Sequence, residues 1–132
     1  MIIGIKNTDV ESHRYKDDPI TGLTMNVNLH EVKVSGENVQ VRFSYLVFYD
    51  QGIGMLRVDG TLYAKEDTKG AKAIAEAWKE DRKLPSEFAE AVINTINYSS
   101  GTEGTFFTRP LNLAPPILPP KIDVSSLKSR KV

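Results

Sequence analysis

The chain has 132 residues and no cysteine, and its 17 Lys and Arg balance 17 Asp and Glu. Such a length suits one domain with one core, and charge neutrality removes the global field that gathers nucleic acid or an anionic surface. The absent cysteines exclude disulfides, thiolate zinc sites and cysteine nucleophiles, and no run approaches the roughly 18 apolar residues that would insert in a membrane. With no leader pattern in MIIGIKNTDV, the expected location is the cytoplasm.

Residues 2 to 15 predict a first strand, with Ile2, Ile3, Ile5, Val10 and Tyr15 as its apolar positions. Lys16-Asp17-Asp18-Pro19 breaks it. Leu23, Met25, Val27 and Leu29 then alternate with polar residues, and the apolar phase slips to Val32 and Val34. That slip predicts a half-buried strand with a bulge near His30-Glu31. After the turn at Ser35 to Asn38, Val39, Val41, Phe43, Tyr45, Val47 and Tyr49 share one face of the next strand. Its other face begins polar at Gln40, Arg42 and Ser44 and ends apolar at Leu46 and Phe48, which predicts cover on both sides there. Asp50-Gln51-Gly52 turns the chain into a strand from Ile53 to Ala64, completing an antiparallel meander.

Beyond Glu66 to Gly70 the period changes to about 3.6 residues, and Ala71, Ile74, Ala75 and Trp78 mark a short helix. Pro85 opens a second one, with Phe88, Ala91, Val92, Thr95, Ile96 and Ser99 recurring at helical spacing and Ile93 widening the apolar face. Ser99-Ser100-Gly101 reads as its end. Five of the seven prolines fall in the segment 101 to 122, which also carries Phe106, Phe107, Leu111, Leu113, Ile117 and Leu118. Prolines forbid a helix or a central strand through their run, so this is an apolar extended arm that must lie against something. A basic, flexible tail follows at 123 to 132.

No constellation of nucleophile, base and ligands assembles from these positions. His13 and His30 stand on separate predicted strands, and Asp17-Asp18 lacks the further oxygens of a calcium loop. Gly52-Ile53-Gly54 joins two strands and has no third glycine at dinucleotide-binding spacing. The reading is therefore no enzyme, no metal and no cofactor.

A meander, a short helix, a longer helix entered at a proline, then Gly104-Thr105-Phe106 and Leu111-Asn112-Leu113-Ala114-Pro115 together resemble the SecB family of protein-export chaperones. The likeness runs from residue 2 to about 117, and in that family the last two pieces form the crossover loop after the main helix. It implies an α+β fold, a four-stranded antiparallel meander sheet with both helices packed on one face. One domain then spans 1–122, with the sheet in 1–65, the helices in 70–100 and an extended crossover arm in 101–122. It also implies a homo-oligomer, a dimer or dimer of dimers with helices between sheets, and cofactor-free binding of unfolded or non-native polypeptides along apolar grooves. Phe106, Phe107, Leu111, Leu113 and Ile117 carry over as groove lining. Leu46 and Phe48 join them as sheet partners inferred from the two-sided strand, and Phe88, Val92, Ile93 and Ile96 are the expected oligomer interface. The resemblance predicts a holdase, which opposes folding and aggregation of its clients by mass action. The alternative is a non-catalytic adaptor, or a chaperone dedicated to one client such as a toxin. Two departures stand out. DVSSLKSRKV replaces the family's second amphipathic helix, and Lys128, Arg130 and Lys131 stand where the family presents an acidic tail to an export motor, so motor docking is not carried over.

Overall fold

The computed structural model describes residues 1–116. Ile117, the end of the proline-rich arm and the 123–132 tail lie outside the described residues. Four strands, β1 (Ile2–Arg14), β2 (Leu23–Ser35), β3 (Asn38–Tyr49) and β4 (Gly54–Lys65), are followed by α1 (Thr68–Asp81) and α2 (Ser86–Thr108). All strand pairs are antiparallel in the order β1-β4-β3-β2, an α+β sheet carrying two helices. The meander proper is β2-β3-β4, and β1 joins it at the β4 edge. The loop from Tyr15 to Gly22 therefore crosses the end of the sheet, a span of about 14 Å over three strand spacings. It is held there by bonds from Tyr15 N to Ile53 O and from Asp50 N to Gly22 O.

The strand phases place the core where the alternation puts it. Val39, Val41, Phe43, Tyr45, Val47 and Tyr49 of β3 are buried together with Leu56, Val58, Leu62 and Ala64 of β4. Ala71 and Ile74 of α1 and Val92 and Ile96 of α2 close over them. A register shift between Leu29 and Glu31 is the expected bulge, and it leaves His30 outside the ladder. The first helix starts slightly earlier than the period change suggested. Asp67 caps it by accepting from Gly70 N at 2.6 Å, which satisfies one of the free donors of the first turn.

The largest departure from the sequence reading is the end of α2. Instead of stopping at Gly101 and leaving an extended arm, the helix continues to Thr108, followed by a 3-10 turn over Arg109–Leu111 that accommodates Pro110. Asn112, in the left-handed region at φ 55, then reverses the chain. Gly101 and Gly104 are contact positions, not terminators. A Cβ on Gly104 would lie 2.6 Å from Leu56 Cδ2, and one on Gly101 would lie 2.5 Å from the carbonyl oxygen of Pro116. Each interior glycine costs about 1 kcal/mol of helix propensity, offset here by the close approach it permits.

Gly101→Ala tests this packing directly. On an open helix the change would stabilise by about 1 kcal/mol, whereas here the methyl group must displace a buried backbone, so a loss of about 1 to 3 kcal/mol is expected in urea denaturation.

Candidate functional site

Beneath the sheet the chain closes on itself. After Asn112 the segment to Pro116 runs back under β3, and Tyr49 donates its hydroxyl proton to Ala114 O. The Tyr45 hydroxyl lies 3.3 Å from Pro116 O and 3.4 Å from Met25 Sδ, with one proton to give to either. Burial pushes both phenols up, Tyr49 to about 12 and Tyr45 further still with a contribution from its neighbour Tyr49. The Arg14 guanidinium ties the same segment from the side, donating to Leu111 O at 3.2 Å, Asn112 O at 2.8 Å, Asp18 O at 2.9 Å and Lys16 O at 2.8 Å. Leu113 is 3 % exposed and seats against Gly54. This part of the proline-rich arm is thus built into the core.

Open apolar surface remains on the flanks of the helical layer. One groove of about 360 Å³ is lined by Ile2, Ala73, Ile74, Pro85, Phe88 and Ala91, with Glu66 and Glu87 also lining it. A second, of about 420 Å³, lies between β2 and the connection from α1 to α2. Val27, Leu29, Leu84, Ala89 and Ile93 line it, with Arg82 and Lys83 as the charged residues of the lining. Both are open and shallow enough to admit an extended segment rather than an enclosed small molecule.

The structure distributes the sequence-expected groove residues over three environments. Phe106 and Phe107 project from the last turns of α2, 68 % and 42 % exposed, where the helix replaces the expected extended arm. Leu111 is half-buried and Leu113 is core. Leu46 and Phe48 point away from the helices onto the bare face of the sheet, opposite Arg57 and Met55 of β4, so they do not meet the other four. Phe48 is 46 % exposed and Leu46 half-buried, so the cover expected on that side is absent among the described residues. Of the four interface positions, Val92 and Ile96 are fully buried in the core of their own chain, and Phe88 and Ile93 stay partly exposed in the two grooves. The outward face of α2 instead presents Ala91, Tyr98, Thr102 and Phe106. Tyr98 is 58 % exposed, and Glu103 is the single charge between Ala91 and Thr108. That scarcity of charge was the available sequence signal for it.

The bare face also holds a polar chain. Ser44, 2 % exposed, donates to Asp59 Oδ1 at 2.5 Å, and His30 Nε2 lies 2.6 Å from the same hydroxyl oxygen. Since the serine proton goes to the carboxylate, the imidazole must donate. Arg57 Nε lies 3.0 Å from the same Oδ1, and the carboxylate pushes the guanidinium pKa up. In a nucleophilic triad the imidazole stands between carboxylate and hydroxyl and takes the hydroxyl proton; here the hydroxyl stands in the middle. His13 stacks on Tyr15 with centroids 5.7 Å apart. Among the described residues no group of three or more acidic or histidine side chains is placed to hold a metal ion.

No family model matches the sequence, and no curated protein matches it. Among solved structures the fold is similar to the Mycobacterium tuberculosis SecB-like chaperone Rv1957, in complex with a ChAD peptide from the Rv1956 HigA1 antitoxin. The TM-score is 0.56 at 16% sequence identity, covering 90% of this chain and 88% of that one. The likeness is one of fold, extending over nearly the whole of both chains.

Tyr49→Phe leaves the carbonyl of Ala114 without its donor and is expected to cost about 1 kcal/mol in urea denaturation. The burial of the same hydroxyl gives the wild type a pH signature. An unfolded tyrosine ionises near 10 and Tyr49 near 12, so the unfolded chain loses its proton first. The stability this group contributes is complete below pH 10 and declines as pH rises toward 12. A shallower decline in the variant is the expected result, and an unchanged slope rejects the assignment.

Proposed function

We propose that the chain is a non-catalytic, SecB-like chaperone that holds extended apolar segments of unfolded or non-native polypeptides in the cytoplasm. The observation that carries the reading is the likeness of fold to a SecB-like chaperone solved with a peptide, extending over most of both chains. The two open apolar grooves and the exposed Phe106 and Phe107 support it, because shallow apolar contacts give affinity without sequence specificity. A narrower version, a chaperone dedicated to one client such as a toxin or antitoxin, fits equally. Its support is the antitoxin peptide in the similar structure and the arm segment packed shut beneath the sheet, which leaves less apolar surface open. The proposed assembly is a dimer or dimer of dimers through the Ala91 to Thr102 part of the weakly charged outward face of α2, which leaves Phe106 and Phe107 open, with Tyr98 replacing the buried Val92 and Ile96 as the anchoring residue.

Suppression of aggregation separates the two versions. The general holdase protects several unrelated denatured proteins at stoichiometric excess, and the dedicated chaperone protects none of them. In either case Phe106→Ser with Phe107→Ser, both exposed, is expected to weaken client binding roughly tenfold while leaving the fold intact. Light scattering at micromolar protein is expected to give a dimer or tetramer, and Tyr98→Lys to shift it toward monomer. A wild-type monomer rejects the assembly.

A further inference from the structure

The groove beside β2 differs from its counterpart in two respects. β2 is the last strand of the sheet, so Val27, Asn28 and Leu29 line the groove with the free edge of a strand, its backbone donors and acceptors without a strand beyond them among the described residues. Val27 and Leu29 pair with Tyr45 and Phe43, so both turn their side chains to the helical side, toward Leu84 and Ile93. The lining contains no carboxylate, only the exposed Arg82 and Lys83, and neither enters an ion pair among the described residues. In the counterpart groove the Met1 ammonium pairs with Glu66, and Glu87 is the remaining charge of the lining.

We propose that this groove takes a client segment as a fifth strand on the free edge of β2, and that it selects a segment whose apolar residues alternate beside an Asp or Glu. The proposal rests on the polypeptide-binding reading above and names its recognition mode. Main-chain bonds to the edge give affinity for any sequence, and alternate side chains, about 7 Å apart, fall in step with Val27 and Leu29. The bulge at His30 interrupts the regular edge and fixes where the added strand ends. A client carboxylate placed over the linker from α1 to α2 meets two cations at the groove rim, which sets preference and approach. The same charges disfavour the chain's own C-terminal residues as occupant, since 117 to 132 carry Lys121, Lys128, Arg130 and Lys131 against the single Asp123.

The test uses the full chain and three fluorescein-labelled peptides of alternating Leu and Thr, one flanked by Asp, one by Lys, and one Asp-flanked but N-methylated along one edge. The Asp peptide is expected to bind tighter than the Lys peptide by a factor of about 5, with the difference shrinking at high salt. Lys83→Glu, at an exposed position, is expected to erase or invert that preference, with the far-ultraviolet circular dichroism unchanged. N-methylation is expected to abolish binding. Equal binding of the Asp and Lys peptides overturns the charge selection, and undiminished binding of the N-methylated peptide overturns the strand addition. If no peptide binds while denatured proteins are still protected from aggregation, this recognition mode falls and the polypeptide-binding reading stands. If neither occurs, this recognition mode and the general holdase both fall.

Discussion

The buried contact between β3 and the segment behind α2 is what the rest of the molecule depends on. Tyr45 and Tyr49 carry hydroxyls into the space under the sheet, and those hydroxyls meet the carbonyls of Pro116 and Ala114. A buried hydroxyl gains little net free energy from such a bond but loses a good deal without it, so the segment must be in place for the inner face to be tolerable. Gly101 and Gly104 make the space for it by removing side chains from the side of α2 that presses on Pro116 and Leu56. Arg14 then fixes the segment to the end of β1. With the centre of the inner face closed, the open apolar surface moves to its margins.

That displacement separates what was legible in the sequence from what was not. The alternation at Val39 to Tyr49 and at Leu56 to Ala64 identified the buried face, because a strand covered on one side has a strict period of two. The slip after His30 announced the bulge for the same reason. Gly101 misled because glycine is ambiguous by nature. It ends helices where a left-handed residue is needed and sits inside them where another backbone comes close, and only the partner distinguishes the two. A helix ending at Gly101 would leave Phe106 and Phe107 in an extended arm with Leu113. In the structure the phenylalanines ride on a helix and Leu113 is plugged into the core. The pairing of β1 with β4 was likewise invisible, since either edge of the meander offers the same pattern of partners.

The two faces of the sheet divide the chemistry. The bare face is held by charge and hydrogen bonding around Ser44 and Asp59, with Phe48 and Met55 as an apolar end. The helical face is mainly apolar around the Tyr45 and Tyr49 hydroxyls and is finished at its borders by short-range features: a cap at Asp67, a left-handed residue at Arg82, and Pro85 at the start of α2. The connection between the helices is consequently short, and it places Arg82 and Lys83 beside β2 with their side chains exposed. A groove wall of this kind is preorganised, so a segment that enters it bears most of the ordering cost itself.

The crossing of the loop from Tyr15 to Gly22 bears on how the molecule comes into being. The first strand made is paired only with the last: Ile2 lies against Ala64, Arg14 against Gly54, and Lys65 N bonds back to Met1 O. During synthesis β1 emerges without a partner and waits while the meander is completed, exposing Ile3 and Ile5 on a strand with two free edges. Pairing β1 with β4 is the step of highest contact order in the sheet, the kind of step that slows folding. For that interval the nascent chain is itself the kind of unpaired apolar strand that chaperones receive.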